Sequence, residues 1–307
     1  MTYKTVLVTG GTGLLGRNVL QAFQDKGWNA VGTGFSRSGA ANIKHLDLSD
    51  FDSIAPLLKD VKPDVVVHCA ANRHPDSCEQ NPEQARIINV EGTKALARAT
   101  SSRGIFLIYI STDYVFPGRP GEAPYEADGK PEPPNTYGLF KLDGEKATLE
   151  ATKDDRLGVV LRIPVLYGSA KENKESAVNV LVDAVWKAQE KGAKVQMDDW
   201  SIRYPTNTED VGRVCQDIAA NYLEAGRDER SKLPTVLQFS SEDRYTKYKM
   251  SQILAEILGL PLDGMVANEQ GNDPSVAVQR PYDTHLSTKK LKELGIPIWT
   301  QDFKAWW

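Results

Sequence analysis

Apolar and β-branched residues cluster in six short runs along the first half of the chain, at 5–9, 30–33, 43–46, 65–69, 106–110 and 159–163, the third being the weakest. Runs of this length with few polar interruptions predict strands buried on both faces, the habit of parallel sheets. Between them, at 15–26, 52–59, 82–102 and 136–152, apolar residues return every three or four positions and predict amphipathic helices. The alternation predicts an α/β protein, a Rossmann-type doubly wound parallel sheet. Right-handed crossovers then bring the carboxyl ends of the strands to one edge, where such sheets bind ligands.

Past Gly168 the pattern changes to separate helical stretches at 176–191, 208–224 and 245–258, divided by loops rich in Pro and Asp. A sheet domain over 1–168 and a smaller, mainly helical lobe over 169–307 are expected, with the chain free to cross between them. Segments 118–134 and 264–281 are long and turn-rich, the kind of loop that serves as a lid or contacts substrate.

Composition narrows the function. The 307 residues carry a net charge of -4 with no basic cluster, which excludes a nucleic-acid surface. The apolar run from Val65 to Ala71 is far too short to span a membrane, and the first strand leaves no room for a signal peptide, so a cytoplasmic protein is expected. Cys69, Cys78 and Cys215 are too few and too scattered for a disulfide framework or a zinc site, and His45, His68, His74 and His285 lack metal-ligand spacing. No metal is expected. His45 and His68 read as structural, and His74 is open.

Strand 5–9 runs into Gly10, Gly11, Thr12, Gly13, Leu14, Leu15 and Gly16 and then a helix. Glycines there allow a tight turn and close approach of a pyrophosphate to the backbone, with the helix N-terminus facing its charge. The second strand ends in Phe35, Ser36 and Arg37, without the acid that would hold the adenosine ribose hydroxyls of NAD. That favours NADP(H), its 2′-phosphate gripped by Ser36 and Arg37 and within reach of Arg17, although surface arginines are also simply solvated. Asp47 and Leu48 suit the adenine edge, with a helix cap as the alternative for Asp47.

Ser111, Thr112 and Asp113 follow the strand 106–110, and Tyr137 and Lys141 share one face of the helix that opens after Pro134. An ammonium beside Tyr137 is expected to lower its pKa. The tyrosine could then protonate a carbonyl as hydride arrives, with Thr112 bonded to the same oxygen.

At this point the chain resembles the extended short-chain dehydrogenase/reductases, in particular their dTDP-4-dehydrorhamnose reductase branch. The resemblance rests on Val8 to Gly16, Val67 to Ala71, Ile110 to Phe116, Tyr137 with Lys141, Leu161 to Gly168, Pro205-Thr206 with Asp210-Val211, and Gln279-Arg280-Pro281 followed by Leu286. Other segments resemble more closely a regulatory branch, the beta subunits of methionine adenosyltransferase: Gly34 to Arg37, Cys69 to Asp76, Leu142 to Ala147, Glu175 to Val178 and Trp200 to Thr206. The first resemblance implies an NADPH-dependent reductase of a ketone or keto-sugar. The second implies a protein that holds NADP and stimulates S-adenosylmethionine synthesis by docking on a catalytic subunit, and such beta subunits also keep the Tyr and Lys.

The resemblance further implies that Cys69, Ala70 and Ala71 flank the cofactor, that Asn89 supports the site, and that Pro164, Val165 and Leu166 line the nicotinamide. Packing and satisfied backbone groups are the plain alternatives for the alanines and Asn89. Arg73, Asp113, Tyr114, Trp200, Arg203 and Arg280 are candidates for the substrate face, with a core role equally open for Trp200. The resemblance implies docking through a C-terminal extension, whereas this sequence stops at Trp307, so Trp306 and Trp307 are the first candidates for aromatic anchors to a partner, with packing on their own C-terminal lobe as the alternative.

Overall fold

A computed structural model describes residues 4–36, 42–273 and 275–307. Arg37 therefore lies outside the described residues. Strand β1 (Thr5–Thr9) leads to α1 (Leu14–Asp25), β2 (Asn29–Gly34), β3 (Ile43–His45), α2 (Ile54–Val61) and β4 (Val65–His68). Short helices α3 (Pro75–Gln80) and α4 (Pro82–Arg86) pass through a π turn, Ile87–Gly92, into α5 (Thr93–Ser101). Then come β5 (Phe106–Thr112), α6 (Thr136–Ala151) and β6 (Gly158–Ile163).

These strands pair in parallel in the order β3-β2-β1-β4-β5-β6, the classic Rossmann sequence with its reversal between β1 and β4. Every residue of β4 and β5 is buried. Alternate strand residues face opposite layers: Val6, Val8, Val67 and Ile108 pack toward α1, and Leu7, Val66 and Leu107 pack toward α2 and α5.

The chain returns to this sheet after residue 168. Following β7 (Leu166–Tyr167), α7 (Val180–Lys187), β8 (Val195–Asp198) and β9 (Thr206–Asn207), helix α8 (Thr208–Glu224) lies beside α1 and gives Val211, Val214, Ile218 and Tyr222 to the main core. A one-turn helix α9 (Arg227–Arg230) precedes β10 (Val236–Gln238), which adds a seventh strand beside β6. The smaller lobe is built from α7, α10 (Lys247–Leu258) and a parallel pair formed by β8 with β11 (Met265–Asn268). Near the end, α11 (Lys289–Glu293) contributes Leu291 to the main core, and α12 (Phe303–Trp306) closes the smaller lobe. Trp306 and Trp307 are half-buried there, edge-on or stacked against Tyr167 at 5.2 and 6.4 Å, so they pack on their own lobe rather than standing out as the expected anchors. Among the described residues no helix is long and apolar enough to cross a membrane.

Candidate functional site

A cleft of about 770 Å³ runs along the carboxyl edge of the sheet across the β1/β4 reversal. One end is formed by Gly10, Thr12, Gly13, Leu14, Leu15 and Gly16. Gly10 has φ +66°, and a Cβ on Gly16 would sit 2.2 Å from the Gly10 carbonyl oxygen, so the turn closes only without side chains. Gly13 is the N-cap of α1 and offers no capping side chain, and the first turn carries no acid. The free N–H groups of a twelve-residue helix therefore open on the cleft, a cradle suited to a diphosphate.

Phe35, Ser36, Asp47 and Leu48 line the outer end of the cleft, with Ser49 beside them. Phe35 is 66% exposed and its ring lies 5.9 Å from that of His45. Asp47 is occupied: it accepts from the Ser49 backbone at 2.8 Å and its hydroxyl at 2.7 Å, bonds that hold its carboxyl below the usual range. Arg17 is occupied as well. It donates to Thr12 O at 2.8 Å and to Glu175 Oε2 at 2.7 Å, and so ties the glycine turn to the segment after β7 rather than waiting for a 2′-phosphate.

At the inner end the register aligns Thr112 with Ile163, so the residues that follow β5 and β6 emerge side by side. Thr112, Asp113, Tyr114, Tyr137, Lys141, Pro164, Val165 and Leu166 line this part, together with Cys69, Ala70, Ala71 and Arg73 from the end of β4. Burial pushes the Cys69 thiol up to about 12, which makes it a neutral wall. Asn89 does not line the cleft. It accepts from the Asn72 backbone N–H at 2.8 Å and donates to its carbonyl at 2.9 Å, fixing the segment after β4 that does.

The electrostatics of the inner end differ from the sequence expectation. Burial raises the Tyr137 pKa well above that of a free phenol, and the nearby Thr112 hydroxyl offsets this only in part. Lys141 does not lower it: its amine donates to Ile110 O at 2.7 Å, lies 4.0 Å from the centre of the Tyr109 ring, and is itself pushed down to about 7 by burial. Desolvation outweighs the ammonium here, so Tyr137 remains a protonated phenol at neutral pH. Thr112 donates to Asp113 Oδ1 at 3.0 Å, and Asp113 accepts from Thr284 at 2.5 Å.

Trp200, Arg203 and Arg280 do not line the cleft but stand past its inner end. Arg203 is buried, donates to Ile202 O and Pro281 O, lies 5.9 Å from the Tyr114 ring, and has an Nη2 without a partner among the described residues. Arg280 pairs with Asp76 on α3 at 2.9 Å, and Trp200 packs on Tyr282 with ring centres 5.1 Å apart. His74 precedes α3 outside the cleft, and His68 is sealed beneath it between Thr9 and Thr93, its pKa pushed down to about 3 by burial. Lining residues that the sequence did not single out include Gln84, Ile88 and the trio Glu175, Ser176 and Ala177. That trio sits in a segment quoted above for resemblance alone.

Comparison with known proteins fixes the family, because the profile of the RmlD substrate binding domain matches residues 4–306. The chain belongs to this family. Among RmlD-like relatives, the Methionine adenosyltransferase 2 subunit beta of Rattus norvegicus is 40% identical over 297 residues, 95% of this chain and 83% of that protein. A dTDP-4-dehydrorhamnose reductase of Streptomyces griseus is 38% identical over 167 residues, 54% of this chain and 51% of that one. In fold, the RmlD-like chain resembles the dTDP-4-dehydrorhamnose reductase of Bacillus anthracis, solved in complex with NADP, with a TM-score of 0.81, 20% identity, and coverage of 99% of this chain and 97% of that one.

Proposed function

We propose that the chain is a cytoplasmic NADP(H)-binding protein of the beta-subunit type, which pairs with the catalytic subunit of a methionine adenosyltransferase and alters its rate of S-adenosylmethionine synthesis. The reach of the likeness carries this reading. It runs through both lobes to 95% of the chain, whereas the likeness to the Streptomyces reductase stops at 54%. The cofactor is supported by the side-chain-free cradle at Gly10 to Gly16 and the uncapped α1, and its identity by the absence of an acid at the end of β2, where Ser36 and Arg37 would take the 2′-phosphate. The test is to mix the protein with its own organism's catalytic chain in the presence of NADP and follow co-elution and kinetics. Failure to associate at micromolar concentration overturns the reading.

A second reading, reduction of a ketone or keto-sugar, is favoured by one specific observation: Thr112, Tyr137 and Lys141 line the same end of the cleft as Pro164, Val165 and Leu166. When bound, the cofactor would supply the hydride. Tyr137, kept protonated by burial, would give its phenolic proton to the substrate oxygen, with Thr112 positioned to bond that oxygen. Asp113 and Tyr114 would face the substrate, and Arg73, Arg203, Arg280 and Trp200 would stand around its far end.

A further inference from the structure

Directly behind the cleft lies a buried ion pair that neither reading uses. Glu145 and Arg162 are each 3% exposed and form a two-pronged pair, Nε to Oε1 at 2.9 Å and Nη2 to Oε2 at 2.8 Å. Ser111 donates to the same Oε1 at 2.5 Å. Ser111 and Arg162 are register partners on β5 and β6, so one carboxylate clamps both strands one residue before Thr112 and two before Pro164. Glu145 stands on α6 one turn beyond Lys141 and two beyond Tyr137. The remaining guanidinium nitrogen, Nη1, donates to Ala127 O in the 118–134 loop and to Gln238 on β10, and Gln238 in turn donates to Tyr125 O and Ser287 O.

We propose that Glu145 is a positioning residue of the site: it fixes the two strand ends against helix α6 and, one helical turn from Lys141, holds positive charge on that amine. Proximity gives the charge effect its sign, since a carboxylate in a dry interior favours a neighbouring ammonium. The groups that act on Lys141 are few: the Glu145 carboxylate on α6 favours its charge and burial opposes it, while the Cys69 and Cys78 thiols, pushed up by burial, stay neutral. His68 on β4 faces it too but stays neutral, and the Tyr109 ring on β5 lies against the amine. Arg162 is taken up by Glu145, Ala127 and Gln238.

That Lys141 then acts on a cofactor rests on the cofactor reading above. Its protonation does not, and can be read without ligand. The difference in urea unfolding between the unaltered chain and Lys141→Met, followed from pH 5 to 10, traces the titration of Lys141 in the folded state. The same difference measured in the Glu145→Gln background should show that titration displaced downward by about one pH unit, a tenfold loss of proton affinity. Glu145→Gln leaves Arg162 buried without its partner and can fail to fold, so the cycle is repeated on Glu145→Gln/Arg162→Met, which removes both charges together. Ser111→Ala, which deletes only a neutral hydrogen bond, should leave the titration in place. An unmoved titration in Glu145→Gln, or in the double variant measured against Arg162→Met alone, overturns the charge role. On the folded double variant, an NADPH affinity equal to that of the unaltered chain overturns the positioning role. If the unaltered chain takes no NADPH, the cofactor reading fails by itself, and the unfolding cycle still decides the charge role of Glu145.

Discussion

Lys141 gives its amine to the carbonyl oxygen of Ile110, 2.7 Å away, and not to Tyr137 four residues earlier on the same helix. The lysine is thereby a strut between α6 and β5, and burial pushes its pKa down to about 7 from 10.5. Between those values the folded chain binds fewer protons than the unfolded one, so the penalty for burying the charge is full below pH 7 and shrinks as pH rises. The stability of Lys141→Met relative to the unaltered protein should therefore fall as pH is raised from 7 to 9, by at most about 1.4 kcal/mol per pH unit. Paired urea titrations check this, and a difference independent of pH would falsify the lowered pKa.

Gly16→Ala should cost both fold and ligand. Its Cβ would press on the Gly10 carbonyl oxygen at 2.2 Å, backbone that cannot swing aside. A loss of about 1–3 kcal/mol in stability is expected, with NADPH affinity down at least about tenfold as the cradle opens. Thermal unfolding and fluorescence titration measure the two effects, and undiminished NADPH binding would place the diphosphate elsewhere.

Cofactor choice follows from the end of β2. NADPH should bind more tightly than NADH, and Arg37→Ala should shrink the preference by about 1.5–3 kcal/mol if the guanidinium bonds the 2′-phosphate. Arg17→Ala should alter it much less, because that side chain is committed to Thr12 and Glu175. Calorimetry with both nucleotides decides the matter, equal affinities in the unaltered protein being the adverse result.

Tyr137→Phe separates the two functional readings. It removes one oxygen from the cleft wall and should leave NADPH affinity within about threefold. Any carbonyl-reducing turnover should vanish, while an effect on methionine adenosyltransferase kinetics should persist, since docking needs surface shape and no proton transfer. Reduction that survives the change would point to another acid.

The strands of the first half were legible to within a residue or two because most are buried parallel strands, apolar at successive positions; β3, exposed at Lys44 and His45, gave the weakest run. β10 was missed for want of pattern: three residues, Val236 to Gln238, follow Pro234 and end on a glutamine whose amide is spent on Tyr125 and Ser287. The stretch 82–102 read as one helix, and its periodicity conceals the π turn that aims Asn89 at Asn72. In the site, the glycine turn and the Thr112, Tyr137, Lys141 set were visible as motifs. The commitment of Arg17 to Glu175 was not, because those residues are 158 apart in sequence and meet only through the fold. The direction of the Tyr137 pKa was misjudged because spacing reveals a neighbouring charge but not the desolvation that outweighs it.

The C-terminal aromatics predict stability rather than docking. Phe303 is fully buried, 5.1 Å from Tyr167 and 5.5 Å from Tyr245. Phe303→Ala should cost about 3–5 kcal/mol, the penalty of an aromatic-sized cavity, and should lower the urea midpoint accordingly. A loss below about 1 kcal/mol would mean that the smaller lobe closes without this anchor.

Because β10 and α8 return to the sheet from beyond Gly168, the first half of the sheet cannot be cut free of the rest. A fragment ending at that glycine would leave the ladder groups of β6 unpaired along an open border and strip the cover from α1, exposing Val19 and Phe23. Such a border invites pairing with the next fragment. A fragment that ends at Gly168 should therefore aggregate rather than fold as a working half.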